Sequence, residues 1–239
     1  MIPVDTAKFQ ADGFLSFERL IDSDAVAEIA SVYDQMLSRE IDCGATDRNL
    51  GEITRQIMMP SQHHALFRDN PVLDAGREIA MQLLGVAEPA FVYDMLIYKP
   101  PGHEAATPWH QDLAYARMPF TRAGTPIKSI STFVQFWLAL DDVDVDTSCM
   151  HFVPGQHLKP LLEHYVASGD PGDQSRMLAV KNPEQALDLS KIIACPLRAG
   201  GATVHSYSTP HFTSGNRTNH RQRRAYIFNF ANPRVLEEH

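Results

Sequence analysis

The sequence predicts a mainly β fold with flanking helices, an antiparallel sandwich or barrel of jelly-roll type, on three observations. Helical periodicity is confined to residues 1–88. From Pro89 the pattern changes to runs of aromatic and branched residues punctuated by Gly and Pro. No helical stretch separates those runs, so they do not form βαβ units and a parallel sheet is excluded. At 239 residues, 44% hydrophobic and 21% charged, the chain suits one domain, 1–239, with a helical part (1–88) packed on a β core (89–239).

In chain order, Leu20-Ile21-Asp22-Ser23-Asp24 followed by Val26, Ile29, Val32, Tyr33, Met36 and Leu37 predicts an amphipathic helix capped by Asp22 or Ser23. Residues 43–60 read as irregular; Arg55 there could reach into a site, but the usual surface preference of arginine favours a solvated side chain. Asn70-Pro71 opens a second helix that carries Val72, Ile79, Leu83 and Leu84 inward and stops at Gly85. Strands are expected over 90–99, 129–140, 192–197, 202–207 and 224–230. Residues 161–190, with Gly169-Asp170-Pro171-Gly172 and little strand pattern, read as a lid insertion over the mouth. Asp142, Asp144 and Asp146 do not form a calcium loop, because Thr147 stands where glycine is needed and Val153 where glutamate is needed.

A formal charge of −8 with scattered basic residues argues against a nucleic-acid partner. Cys43, Cys149 and Cys195 are odd in number and lack Cys-x-x-Cys spacing, which suits core fillers in a reducing compartment. No signal-peptide core and no membrane-length apolar run is present, so a cytoplasmic protein without a membrane partner is expected. The oligomeric state is not encoded in these features.

The chemistry gathers at Thr107-Pro108-Trp109-His110-Gln111-Asp112. In an extended segment His110 and Asp112, two apart, face the same way and offer an imidazole and a carboxylate to one ion. His211, returning from a later strand, would complete a two-His-one-carboxylate face with open positions, the arrangement of non-haem Fe(II) sites.

With these residues in view the chain resembles the phytanoyl-CoA dioxygenase (PhyH) family of Fe(II)/2-oxoglutarate-dependent oxygenases, which fold as a double-stranded β-helix of cupin-like jelly-roll form. The resemblance runs in order through Asp12-Gly13-Phe14, Tyr98-Lys99-Pro100-Pro101-Gly102, the His110-Gln111-Asp112 stretch, Trp137-Leu138-Ala139-Leu140-Asp141-Asp142, Val153-Pro154-Gly155, and His211 to Tyr226. It implies iron ligation by His110, Asp112 and His211, and use of 2-oxoglutarate and O2 as co-substrates. It further implies an arginine for the distal 2-oxoglutarate carboxylate, where a planar guanidinium can give two parallel hydrogen bonds. That role falls to Arg223. One residue more than the usual spacing lies between Thr218 and Ala225, so Arg224 competes for it. Thr213, two after His211, can add a hydroxyl to the same carboxylate. Met95 and Trp137 match positions that line the co-substrate in relatives, and are equally compatible with ordinary core packing.

Tyr115, Arg117 and Phe120 are the residues expected to face the substrate. The implied activity is hydroxylation of a small-molecule metabolite or natural-product intermediate with release of succinate and CO2. Two rivals remain: a cupin-like metalloenzyme that does not use 2-oxoglutarate, which leaves Arg223 and Thr213 unexplained, and an inactive jelly-roll binding protein. His205 and His151 read as core or pocket-wall residues, and Asn216 as a turn-former.

Overall fold

A computed structural model describes residues 2–50, 54–115, 132–170 and 177–234. The N-terminal part contributes helices α1 (Thr6–Asp12), α2 (Ser23–Leu37), α3 (Pro60–His63) and α4 (Pro71–Leu84), and strands β1 (Phe14–Phe17), β2 (Asp47–Leu50) and β3 (Thr54–Met58). The rest supplies β4 (Ala90–Lys99), β5 (Thr107–His110), β6 (Phe133–Ala139), β7 (Met150–Phe152), β8 (His164–Val166) and β9 (Leu178–Val180). It continues through a short α5 (Pro183–Ala186), β10 (Ile193–Cys195), β11 (Ala202–Ser206), β12 (His211–Thr213) and β13 (Arg223–Ala231).

Both long helices begin and end as their sequences require. Asp22 accepts the Ala25 N–H at the start of α2, and Asn70 accepts from Val72 and Leu73 at the start of α4, where Pro71 occupies the first turn. Gly85 closes α4 in the left-handed conformation at φ 66°. Both helices lie on the largest of three antiparallel sheets, ordered β1-β11-β6-β13-β4-β3-β2, opposite a smaller sheet ordered β10-β7-β12-β5, the third being the β8-β9 pair. The first two make the jelly-roll.

Strand alternation divides the larger sheet into two faces. Leu96, Phe136, Leu138, Val204, Tyr226, Phe228 and Phe230 point at α2 and α4 and form the main apolar core. Met95, Ile97, Trp137, Ala139, Ala225 and Ile227 point the other way, toward Met150 and Phe152 of the smaller sheet. The helices therefore brace the outer face, and the inner face is left to line the space between the sheets.

Three expectations need correction. Residues 43–60 are not irregular, because β2 and β3 pair with each other and β3 pairs with β4. Arg55 is not solvated: it pairs with Asp47 and donates to the Met36 and Leu37 carbonyls at the end of α2. The 161–190 segment, in which little strand pattern was expected, holds two short strands. Its strands β8 and β9 pair, while Val180 and Leu187 form a small apolar cluster with Trp109 and Val153, joined by Phe212. Asp144 binds the Thr147 and Asp146 N–H groups and Arg221, which explains its loop without a cation.

Candidate active site

His110 closes β5, Gln111 stays extended (φ −119°, ψ 130°), and Asp112 opens a short 3-10 turn, Asp112–Ala114. The single extended residue is what turns both side chains to one side. His211 opens β12 directly opposite His110 in the smaller sheet. One ligand atom each from His110, Asp112 and His211 lies within 4.8 Å of the others, and all three residues are buried.

The hydrogen bonds aim these atoms. His110 Nδ1 is 2.7 Å from the Pro108 carbonyl and His211 Nδ1 is 2.9 Å from the Thr209 carbonyl, so both Nδ1–H groups donate and both Nε2 lone pairs remain for another partner. Burial lowers the pKa of both imidazoles, His211 most strongly, which keeps them neutral. Asp112 Oδ2 accepts from Gln135 Nε2 at 2.7 Å and from His205 Nε2 at 2.9 Å. Its Oδ1 lies 3.8 Å from both His110 Nε2 and His211 Nε2. Burial pushes this carboxyl up, but His211, His205 and His110 outweigh it and hold its pKa at about 2. Two neutral imidazoles and one ionised carboxylate oxygen converge, a donor set that fits a divalent ion such as Fe(II).

A second polar site lies on the same inner face. Arg223 and Lys99 stand opposite each other on β13 and β4, both buried to within 1% of full burial. Lys99 Nζ donates to Thr213 Oγ1 at 2.9 Å and to the Ser214 carbonyl at 2.8 Å. Arg223 Nε donates to the Ser148 carbonyl, and its guanidinium lies 4.7 Å over the Trp137 ring. Its Nη1 is buried without a partner. Among the described residues no carboxylate pairs with either cation. Burial, then the neighbouring Arg223, drives the Lys99 pKa well down, and burial lowers that of Arg223 to about 10.

Arg224 turns to the opposite face, where it pairs with Asp141 through two nitrogens and with Asp34 of α2. Met95 and Trp137 flank Ile227 in adjacent strands, in the row between the cations and the His110-Asp112-His211 cluster. Tyr115 lies edge-on to His110, its ring 5.7 Å away, and is 38% exposed. Arg117 and Phe120 lie outside the described residues. Asn216 is buried and ties Lys99, Thr218 and Arg221 together in the turn before β13, as its residue type suggested.

Lys99, Gln135 and His205 were missed at the sequence level. Alternation along β4 from Met95 places Lys99 inward, and a lysine at an inward strand position is the signal that could have found it. His205 follows Thr203 on the inner face of β11 by the same rule. It is not a mere wall residue, since it holds Asp112 Oδ2.

Residues 9–225 match the phytanoyl-CoA dioxygenase (PhyH) family. Phytanoyl-CoA dioxygenase domain-containing protein 1 of Rattus norvegicus is 24% identical over 170 residues, covering 69% of this chain and 54% of the relative. The chain thus spans about half the length of the curated relatives it matches. Among solved structures, EvdO2 of Micromonospora carbonacea, crystallised with 2-oxoglutarate, is 29% identical with a TM-score of 0.78, over 98% of this chain and 96% of that one. SnoN, an epimerase of nogalamycin biosynthesis crystallised with Fe3+, α-ketoglutarate and nogalamycin RO, shares the fold at 23% identity and a TM-score of 0.68, over 95% of this chain and 82% of its own. With a match over nearly its whole length, and with His110, Asp112 and His211 gathered in one buried cluster that could hold a metal ion, the chain belongs to the phytanoyl-CoA dioxygenase family.

Proposed function

We propose that this protein is an Fe(II)- and 2-oxoglutarate-dependent dioxygenase that hydroxylates a small-molecule metabolite or natural-product intermediate, releasing succinate and CO2. The observation that carries the reading is the pair of buried cations, Lys99 and Arg223, with no carboxylate of the described chain to answer them. Burial opposes charge on both groups, as their lowered pKa values show, and an anion that joins them would favour the charged forms. A dicarboxylate that reaches from them to the metal cluster would supply that anion.

In this reading His110, Asp112 and His211 hold the iron. Lys99, Arg223 and Thr213 hold the distal carboxylate, and Met95 and Trp137 wall the path between. Once bound, Fe(II) with 2-oxoglutarate couples O2 reduction and keto-acid decarboxylation to oxidation of a substrate C–H bond. The chain's own contribution is positional. The Pro108 and Thr209 carbonyls fix the imidazole tautomers, and Gln135 and His205 restrict Asp112 to one free oxygen, which leaves more of the coordination sphere for co-substrate. Tyr115, with Arg117 and Phe120, is proposed to meet the substrate.

A metalloenzyme that does not use 2-oxoglutarate would have no use for the cation pair, and an inactive binding protein no use for the aimed Nε2 atoms. The small-molecule assignment draws support from the nogalamycin-type ligand of SnoN. The test is succinate formation from 2-oxoglutarate with Fe(II) and O2, scored across a panel of small polar metabolites and glycosylated scaffolds. Substrate-dependent succinate with an oxygenated product is the expected result. Absence of succinate under all conditions, uncoupled turnover included, would reject the reading.

A further inference from the structure

Gln111, between His110 and Asp112, is fully buried and bonded on three sides. Its backbone N–H donates to His164 Nε2 at 3.1 Å. Its side-chain oxygen accepts the Leu162 N–H at 2.9 Å, and its amide nitrogen donates to the Ser208 carbonyl at 2.6 Å. His164 commits its own Nδ1–H to the Leu162 carbonyl at 2.8 Å, so the lone pair that Gln111 meets is fixed in direction. Leu162 and His164 belong to the 161–190 segment, whereas Ser208 belongs to the turn that leads to His211.

The segment touches the stretch around His110 and Asp112 a second time, at Tyr115. The Leu178 N–H donates to Tyr115 Oη at 2.9 Å, and the Tyr115 ring stands edge-on to His110. Each strand of the β8–β9 hairpin is thus tied, directly or through its flanking residue, to the stretch that carries His110 and Asp112. Behind it, Val180 and Leu187 pack with Trp109 and Phe212, the residues adjoining His110 and His211, whose rings stack at 5.0 Å. These contacts grip the stretch that carries His110 and Asp112, and the apolar ones lie on the Trp109 and Phe212 face of the smaller sheet, opposite His110 and His211.

We propose that Gln111 is a positioning residue through which the β8–β9 hairpin holds His110 and Asp112 at coordinating separation, so that hairpin docking and metal binding favour each other. The proposal rests on the metal reading of His110, Asp112 and His211. Gln111 is the single residue between His110 and Asp112, so its external bonds fix the backbone that carries both, while Pro108, Gln135 and His205 aim the donor atoms themselves. Coupling between two binding events is reciprocal, so metal must then order the hairpin as the hairpin orders the metal site.

The test uses Co(II), a redox-silent substitute for Fe(II), on the full-length chain. Affinity, the visible spectrum of the bound ion and amide hydrogen exchange are followed together. In the wild type, Co(II) should slow exchange over residues 162–166 and 178–180 as well as at 107–113 and 205–213. Gln111→Leu should weaken Co(II) binding about tenfold or more, alter the Co(II) spectrum, and abolish the slowing at 162–166 while that at 205–213 persists. His164→Leu, which removes the acceptor but leaves the Gln111 side chain in place, should act in the same direction, and His164→Gln, which keeps an acceptor, should recover most of the loss. Metal-induced slowing confined to 107–113 and 205–213 in the wild type would overturn the coupling while leaving the metal site standing. Unchanged affinity and spectrum in Gln111→Leu or His164→Leu would overturn the role of Gln111. A wild-type chain that binds no Co(II) would overturn the metal reading and this inference together.

Discussion

A carboxylate whose second oxygen is already satisfied offers a metal only the first, and Asp112 is held in this way by Gln135 and His205. Replacing His205 with Phe or Gln135 with Leu should weaken Fe(II) binding about 10–100-fold, measured by anaerobic titration, because outer partners of that kind fix ligand orientation. Unchanged affinity in both variants would remove them from the site. The two adjacent arginines separate by face. Arg224→Leu should leave the requirement for 2-oxoglutarate unchanged but destabilise the fold by roughly 2–4 kcal/mol in denaturant unfolding, below the fully buried ion-pair range because Asp34 meets solvent. A third carboxylate, Asp94, sits on the helix side of the larger sheet, bonded by Ser61 and Tyr226. Burial raises its pKa to about 6 despite these bonds. The folded state therefore holds this proton above the unfolded value of about 4, so its contribution favours folding below pH ~4 and is lost as pH rises through about 6. Asp94→Asn should flatten the pH profile of stability across that window, and an unaltered slope in chemical unfolding would show that Asp94 titrates normally.

At the scale of elements, legibility followed length. Helices α2 and α4 and strands β4, β11 and β13 run long enough for period and caps to declare themselves in the sequence. Strands β5, β7 and β12 have four, three and three residues, too few for any period, and β12 carries His211. Only the His-x-Asp spacing and the family resemblance pointed to that place. The β2–β3 hairpin escaped notice because Asp47, Arg48, Asn49, Thr54, Arg55 and Gln56 look like a loop, and the larger sheet imposes the extended form by pairing β3 with β4. The Asp12-Gly13-Phe14 motif acquires a reason. The Gly13 carbonyl accepts from Ser206 N and Thr209 Oγ1, bracing the loop whose Thr209 carbonyl orients His211. Gly13 has φ 87°, and an added Cβ would lie 2.5 Å from His157 Nδ1 and 2.7 Å from Thr209 Oγ1. Gly13→Ala should cost roughly 2–4 kcal/mol from left-handed strain plus overpacking, and should weaken metal binding, both read from thermal melts with and without Co(II). Full retention of stability would mean that the N-terminal segment yields freely.

For the molecule as a whole, helices brace one face of a sheet so that the other face can carry polar groups that no core would tolerate alone. Among the described residues, no helix is long and apolar enough to cross a membrane. The two-cation pocket was half legible, since Arg223 follows from the family pattern and Thr213 from its distance to His211. Lys99 was legible only through its inward position along β4, since a lysine at a strand end otherwise reads as solvated. Substrate contacts were least legible, as Arg117 and Phe120 lie outside the described residues and specificity depends on shape across elements far apart in the chain.

In the proposed reaction the His110-Asp112-His211 cluster and the Lys99-Arg223 pair grip two ends of one co-substrate. Anaerobic calorimetric titration of 2-oxoglutarate into Fe(II)-loaded protein tests it most directly, with Arg223→Leu, Lys99→Met and His211→Ala beside the wild type. One 2-oxoglutarate should bind per iron in the wild type. Binding should weaken tens-fold or more in Arg223→Leu and Lys99→Met with iron retained, corresponding to roughly 2–5 kcal/mol for truncating one partner of a buried charge pair. In His211→Ala iron itself should be lost. Equal 2-oxoglutarate binding with and without iron, or undiminished affinity in both cation variants, would contradict it.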